Sequence, residues 1–394
     1  MSPVAGGLVA FVTLSAVGLA PAAAAPPDAV PASIVLAEPG TGIPGAYIVT
    51  LRPGTLPRRL AAALAVAPRY IYDNALTGFA ARLTQGQVQA LQRRPEVESI
   101  EQDQIVVADA AIGLSPQVSQ ATPLGGGLYG LDRIDQRVLP LSGTYSFTST
   151  GPSVSAYVLD SGIATSHPDF GGRASNVFDA LGGDGQDCNG HGTHVAGTIG
   201  GATHGVAKAV RLRGVRVLSC GGSGSISSTL AGVNWVRANA VKPAVANMSL
   251  AGGLSTALNR AVESLADSGV AVAVAAGNSS ADACKTSPAS AKGVITVAAS
   301  DRVDARAPFS NFGGCVDMYA PGVDIRSTWL GGGTLASSGT SMASPHVAGA
   351  VALYKSAGDR TSVEVNAWVV NTATNGVIQG NPPRTPNRLL FSSS

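Results

Sequence analysis

Three short segments of this 394-residue chain carry residue types suited to chemistry, in the order acid, imidazole, hydroxyl. Tyr157-Val-Leu-Asp-Ser-Gly-Ile163 is an apolar run that meets an acid at Asp160. Asn189-Gly-His-Gly-Thr-His-Val-Ala-Gly197 sets His191 between two glycines, which clear space around its ring. Gly339-Thr-Ser-Met-Ala-Ser-Pro-His-Val-Ala-Gly349 puts Ser341 just ahead of an apolar helical stretch. A serine hydroxyl is a weak nucleophile at neutral pH. It needs a base within hydrogen-bond reach, and the base needs a third group to orient it. Histidine titrates near neutrality, so it can take the serine proton and later give it to a leaving amine. A carboxylate ending a buried strand can hold the imidazole tautomer and stabilise the imidazolium. At a helix amino terminus the backbone N–H groups and the positive dipole end favour a developing oxyanion. A fourth segment, Val274-Ala-Ala-Gly-Asn278, ends in a side-chain amide, Asn278, that can donate to the same oxygen. Taken singly, Ser341 reads as a helix cap and Asp160 as an acid in a turn. Only the set points to acyl transfer.

These residues need a rigid frame, and the second half of the chain has the rhythm of one. Val-rich apolar runs read as buried strands at Ser155–Leu159, Leu212–Leu218, Ala244–Leu250, Val270–Ala276 and Val294–Ala298. Helical segments fall between them at His191–Ile199, Ser227–Asn239 and Ser255–Ser268. Strands alternating with helices predict an α/β unit with a mainly parallel sheet covered on both faces. In such sheets ligands gather at the carboxyl ends of strands.

The first half is organised differently. Val9–Ala20 is an apolar run followed by Pro21 and Ala22–Ala25, which fits a cleaved export signal (1–25) better than a membrane span. No Lys or Arg precedes it. Either the free amino terminus supplies the positive charge, or the true start lies upstream. Residues 26–45, rich in Pro, Ala and Gly, read as a linker. Tyr47–Leu51 reads as a strand. Thr84 with Gln87 makes a capping box for a helix that Pro95 stops near Arg94, and Val97–Ile100 reads as another strand. Together these predict a small α+β unit over about 46–108. Residues 109–128 carry Pro and a Gly triplet without periodicity and read as an exposed, cleavable connector.

Bulk composition narrows the function. Charged residues are 13% and the net charge is +2, with no basic run, so nothing steers the chain to nucleic acid. Cys188, Cys220, Cys284 and Cys315 form no C-x-x-C pair. An even count in an exported chain favours disulfides, with three connectivities open. His191 and His194 lack the Glu of an H-E-x-x-H zinc site, so His194 and His346 are read as packing or hydrogen-bonding near the site. Asn247-Met-Ser249 and Asn278-Ser-Ser280 match the glycosylation pattern but fall at predicted strand ends and are read as chance matches. Gly331–Gly333 reads as a turn.

Taken together, the Asp160, His191 and Ser341 segments resemble the signature of the subtilisin-like serine proteases, which have this chain order. Gly130-Leu-Asp-Arg-Ile-Asp-Gln136, Gln186-Asp-Cys-Asn-Gly-His191 and Pro386-Asn-Arg-Leu-Leu390 are similar to the proteinase K branch, and to aqualysin-type enzymes within it. Tyr47-Ile-Val49, Leu76-Thr-Gly-Phe-Ala-Ala81 and Val97-Glu-Ser-Ile-Glu101 resemble the inhibitory propeptide domain of the same family, a ferredoxin-like α+β unit. The resemblance implies a secreted endopeptidase, made as signal (1–25), propeptide (26–120) and peptidase domain (121–394), with self-cleavage between Ala108 and Ala121. It implies Asp160, His191 and Ser341 as the triad, and Asn278 with the Ser341 N–H as the oxyanion hole. Ser249, Leu250, Ala251 and Gly252 would form one wall of the main specificity pocket, and Ala275, Ala276 and Gly277 the other. Gly222, Ser223 and Gly224 would pair with extended substrate as an added strand. Small walls without an acid imply cleavage after aromatic or aliphatic residues, although this branch usually has Gly where Ala251 stands. Implied disulfides are Cys188–Cys220 and Cys284–Cys315, each closing a loop of about 32 residues, or roughly 3–4 kcal/mol of chain entropy. A structural calcium ion on Asp317 and the backbone carbonyls of Lys292 and Val294 is implied as well, oxygen donors being what calcium prefers. No catalytic cofactor is expected. The expected partners are protein or peptide substrates and the chain's own propeptide, on a monomer with no nucleic acid and no stable membrane association.

Overall fold

A computed structural model describes residues 31–108 and 128–392. The export signal and residues 109–127 of the connector, with Ala121, lie outside the described residues.

The amino-terminal unit runs β1 (Ser33–Val35), β2 (Gly42–Leu51), α1 (Pro57–Ala63), β3 (Pro68–Tyr72), β4 (Gly78–Arg82), α2 (Gln85–Gln92) and β5 (Val97–Ala108). Its strand order β5-β2-β4-β3, antiparallel throughout, is the ferredoxin-like arrangement expected. Thr84 and Gln87 form the predicted reciprocal cap on α2. The linker reading of 26–45 needs correction over its described part. β1 pairs in parallel with β5 from Ser33 to Val35, because β5 has a second edge to satisfy, and β2 already begins at Gly42. A small core of Val49, Leu60, Phe79, Leu91 and Ile100 holds this unit.

The larger unit follows as α3 (Tyr129–Ile134), β6 (Ser155–Asp160), β7 (Ala174–Asp179), α4 (His191–Gly200), β8 (Arg211–Arg216), β9 (Ser223–Ser225), α5 (Ile226–Asn239), β10 (Ala244–Met248), β11 (Leu250–Gly253), α6 (Thr256–Asp267), β12 (Ala271–Ala275), β13 (Thr286–Ser287), β14 (Ile295–Ser300), β15 (Met318–Pro321), β16 (Ile325–Thr328), β17 (Thr334–Ser337), α7 (Thr340–Ser356), α8 (Ser362–Thr372), β18 (Thr374–Asn375) and β19 (Arg388–Leu389). Its main sheet has the order β18-β19-β15-β14-β12-β10-β6-β8-β7 and is parallel except at β18–β19. One apolar cluster, with Val195, Ile199, Val347 and Val351, brings in α4 and α7. Another, with Leu230, Val233, Leu258 and Val262, brings in α5 and α6. The predicted run Ala244–Leu250 is broken at Ser249. β10 stays in the main sheet, while β11 leaves it to pair with β5.

That pairing joins the units. The carboxyl end of β5 lies between β9 and β11, antiparallel to both, with Val107 opposite Ser223 and Ala251. Behind it, two carboxylates of β5 sit at helix amino termini. Glu101 accepts from Ala257 N at 2.9 Å and Ser255 Oγ at 2.7 Å, at the start of α6. Asp103 accepts from Ser227 N at 3.0 Å and Ser227 Oγ at 2.5 Å, at the start of α5. Negative charge is favoured at such ends, where backbone N–H groups lack intrahelical acceptors. Burial pushes both carboxyl groups above their ordinary pKa values.

Candidate active site

Asp160 ends β6, buried on all sides, and His191 opens α4. Their side chains meet: His191 Nδ1 is 2.8 Å from Asp160 Oδ1 and 2.9 Å from Oδ2. A carboxylate facing Nδ1 requires the hydrogen there, which leaves Nε2 as the basic lone pair. Gly192 is required for this contact, since a Cβ on it would stand 2.2 Å from the Gly162 carbonyl and 3.2 Å from Asp160 Oδ1.

The histidine is set by a residue whose role the sequence reading did not assign. Asp187 Oδ1 accepts from Asn189 N, Gly190 N and Ser161 Oγ, each at 2.9 Å. Its Oδ2 accepts from Thr193 N at 2.9 Å and Thr193 Oγ1 at 2.6 Å. One carboxylate thereby ties the turn before His191, the first turn of α4 and the residue after Asp160. The available signal was its position, four residues before His191, where an acid can satisfy the exposed N–H groups of a helix start. Cys188, beside it, bonds Cys220, and Cys284 bonds Cys315, the two implied pairings.

Ser341 lies in the first turn of α7, after Gly339. Pro345 sits inside this helix and has no N–H, so it cannot bond the carbonyl of Ser341, four residues back. Ser249 uses that carbonyl instead, donating from Oγ at 2.9 Å, while Ser341 Oγ donates to the Ser249 carbonyl at 3.2 Å. The nucleophile candidate and the start of β11 are clasped in both directions. Asn247, just ahead, is buried and bonds Ser249 Oγ and Ser344 Oγ, which leaves it no exposure for a glycan. Asn278 is fixed through its oxygen, since Oδ1 accepts from Thr340 N and Thr340 Oγ1, both at 2.9 Å. The amide nitrogen is therefore turned away from Thr340. Thr340 Oγ1 also accepts from Gly277 N at 3.1 Å. Both predicted pocket walls, Ser249–Gly252 and Ala275–Gly277, thus meet at Thr340-Ser341.

His194 and His346 are fully buried and take the packing roles expected of them. Burial lowers their pKa values to about 3 and about 4. His194 Nε2 is 3.0 Å from the carbonyls of Ile325 and Leu335, and His346 Nδ1 is 2.8 Å from that of Met342, so both rings donate as neutral imidazoles.

Among the described residues no three His, Cys, Asp or Glu side chains are grouped to hold a metal ion. Of the implied calcium set, Asp317 is the one carboxylate. Asp317 Oδ2 accepts from Thr296 N at 2.8 Å, and burial raises the Asp317 pKa, so its charged form gains from a cation. In the sequence between Lys292 and Val294, the Gly293 carbonyl accepts from Asn366 Nδ2 at 3.0 Å. A carboxylate with backbone oxygens is the kind of donor set that calcium takes.

Comparison with known proteins agrees with this geometry. Residues 149–388 match the Subtilase family, and residues 62–109 match the Peptidase inhibitor I9 family. An extracellular serine proteinase of a Thermus species is 50% identical over 82% of this chain and 77% of its own length. Alkaline serine exoprotease A of Vibrio alginolyticus is 44% identical over 93% of this chain and 71% of that protein. Proteinase R of Parengyodontium album is 41% identical over 95% and 97%. The crystal structure of a cold-adapted subtilisin-like serine proteinase aligns with a TM-score of 0.67 and 49% identity, covering 68% of this chain and 99% of that one. The chain belongs to the subtilase family of serine peptidases, of the proteinase K and aqualysin kind, and carries its own I9 inhibitor domain.

Proposed function

We propose that the chain is an exported, self-processing endopeptidase in which Ser341 is the nucleophile, His191 the general base and Asp160 its orienting acid. The observation that carries this reading is β5, a strand of the chain's own inhibitor domain held between β9 and β11 as a peptide substrate would be. In this reading Ser341 Oγ leaves the Ser249 carbonyl and attacks the scissile carbon. His191 Nε2 takes the proton, and the imidazolium is stabilised by Asp160. The oxyanion receives hydrogen bonds from Asn278 Nδ2 and the Ser341 N–H, and His191 returns its proton to the leaving amine. Gly222–Gly224 and Ser249–Gly252 hold the substrate as a strand. Ala275, Ala276 and Gly277 leave room for an aromatic or aliphatic side chain beside Ala251.

The same register bears on processing. β5 ends with Ala108 opposite Leu250, and a substrate residue that continued this register would fall opposite Ser249, beside Ser341. The first self-cleavage in this reading lies just beyond Ala108, and trimming of the connector then leaves a chain beginning near Ala121. The domain limits are 1–25 for the signal, 26–120 for the propeptide and 121–394 for the peptidase. Calcium, held by Asp317 and the carbonyls of Lys292 and Val294, would neutralise a buried charge and tie the 292–294 turn to the sheet. Export is supported by the names of the extracellular relatives and by the paired cysteines. An inhibitor in the same chain fits a monomer. No helix among the described residues is long and apolar enough to cross a membrane.

The test is a Ser341→Ala precursor purified alone. It should keep its amino-terminal unit indefinitely and hydrolyse no peptide. Loss of the propeptide from that pure protein would refute self-processing.

A further inference from the structure

The hairpin β16–β17 is a two-stranded sheet of its own, separate from both larger sheets, with Thr328 opposite Thr334. It is bolted to α4 at several points. Ser327 Oγ donates to the His194 carbonyl and Thr328 Oγ1 to the Thr193 carbonyl, each at 2.8 Å. In return, the Nε2 hydrogen of His194 bridges the carbonyls of Ile325 and Leu335, one on each strand. The approach is so close that a Cβ on Gly197 of α4 would stand 2.1 Å from Thr328 Oγ1. On its other side β17 ends at Ser337, four residues before Ser341, and Gly339 N is anchored to the Gly322 carbonyl at 2.8 Å. The hairpin therefore spans the two helices whose first turns carry His191 and Ser341.

At its tip stands Trp329, half-buried, its backbone N–H held by the Gly333 carbonyl at 2.8 Å. The ring lies against Gly190, the residue before His191: a Cβ built there would be 2.5–2.7 Å from three ring carbons. Gly190 has φ of +105°, and the ring also meets His194 edge-on at 6.3 Å between centroids. Glycine at 190 permits the backbone to bend into α4 and lets a flat indole close against it. Nothing in the pattern of the sequence drew attention to Trp329.

We propose that Trp329 is a positioning residue for catalysis: by backing Gly190 from the hairpin tip it fixes the entry of the chain into α4, and with it the imidazole of His191 relative to Ser341. This rests on the reading of His191 as the base. In the same reading the ring shields that side of the helix start, and its loss would let water reach the imidazole and favour its charged form, which faces Asp160 and the neutral, buried His194.

The experiment uses the mature enzyme and a peptide p-nitroanilide with no peptide beyond the scissile bond. It compares wild type with Trp329→Leu, which keeps bulk without a flat ring, with Trp329→Phe, which keeps a smaller ring, and with His191→Ala. Small displacements of a reacting group cost up to about 100-fold in rate, so Trp329→Leu should lose about 10- to 100-fold in kcat with KM nearly unchanged. The acid limb of its kcat/KM profile should move to higher pH, and Trp329→Phe should recover most of the rate. Unchanged kcat and an unmoved limb in Trp329→Leu would overturn the proposal, as would a loss confined to KM. Should Trp329→Leu not fold, Trp329→Met, which also lacks a flat ring, takes its place, and an unchanged kcat with an unmoved limb there overturns the proposal as well. If His191→Ala stays active, the reading of the base fails, and that outcome is distinct from a failure at Trp329.

Discussion

At the residue scale, the site depends on pairs that fix one another. Asp160 settles which nitrogen of His191 is basic, Ser249 and Ser341 exchange hydrogen bonds, and Thr340 turns the Asn278 amide. The last pair gives a sharp expectation. In the proposed reading, Asn278→Ala removes a donor that acts only when charge develops on the substrate oxygen, so kcat should fall about 100- to 1000-fold with little change in KM. Steady-state kinetics on a short peptide substrate checks this, and a fall carried by KM alone would assign Asn278 to ground-state binding instead. These residue types were legible because the chemistry demands them, and their segments are distinctive. Asp187 and Pro345 were harder to see. An acid that satisfies several N–H groups and a proline that frees one carbonyl act through hydrogen bonds whose partners are fixed only by the fold.

At the element scale, the five strand runs and three helices read in the larger unit match to within a few residues, since buried parallel strands read as continuous apolar runs, while α3, β7, α8 and the short strands after β12 other than β14 were not read. Among the pairings that were missed, three share a cause. β1 and the end of β5 are held by pairing with other strands rather than by a pattern of their own, and the break at Ser249 arises because β11 is recruited by β5. Partner choice of that kind is not encoded in local periodicity. The carboxylates of β5 make the recruitment specific, each meeting the open end of a helix. Glu101→Ala should leave α6, and Asp103→Ala should leave α5, without that acceptor. A lost cap costs about 1 kcal/mol, so each variant should bind the peptidase unit about fivefold more weakly. The concentration at which the cleaved propeptide inhibits the enzyme reports this, and unchanged inhibition in both variants would mean that the caps contribute nothing.

At the scale of the whole molecule, the fold stores neutral imidazoles that an unfolded chain would protonate. His194 and His346 are held down to about 3 and about 4, against an ordinary value of 6.5. Between those limits the unfolded state binds more protons than the folded one, so stability is complete above pH 6.5 and declines as pH falls toward 4. The loss is on the order of 3 kcal/mol for each ring at the acid end. Urea unfolding of mature enzyme inactivated at its serine should show this decline, and His346→Gln should flatten it. A profile unaffected by that substitution would contradict the assignment. All of this surrounds one claim: that residues 160, 191 and 341 act together as an activated serine in a cleft which the chain's own β5 occupies before processing. A fluorophosphonate reacts only with such a serine, so peptide mass spectrometry of labelled protein tests the claim most directly. The account predicts the adduct on Ser341 in processed enzyme, little adduct while the propeptide is in place, and none in His191→Ala. An adduct on another residue, or undiminished labelling of Ser341 in His191→Ala, would contradict it.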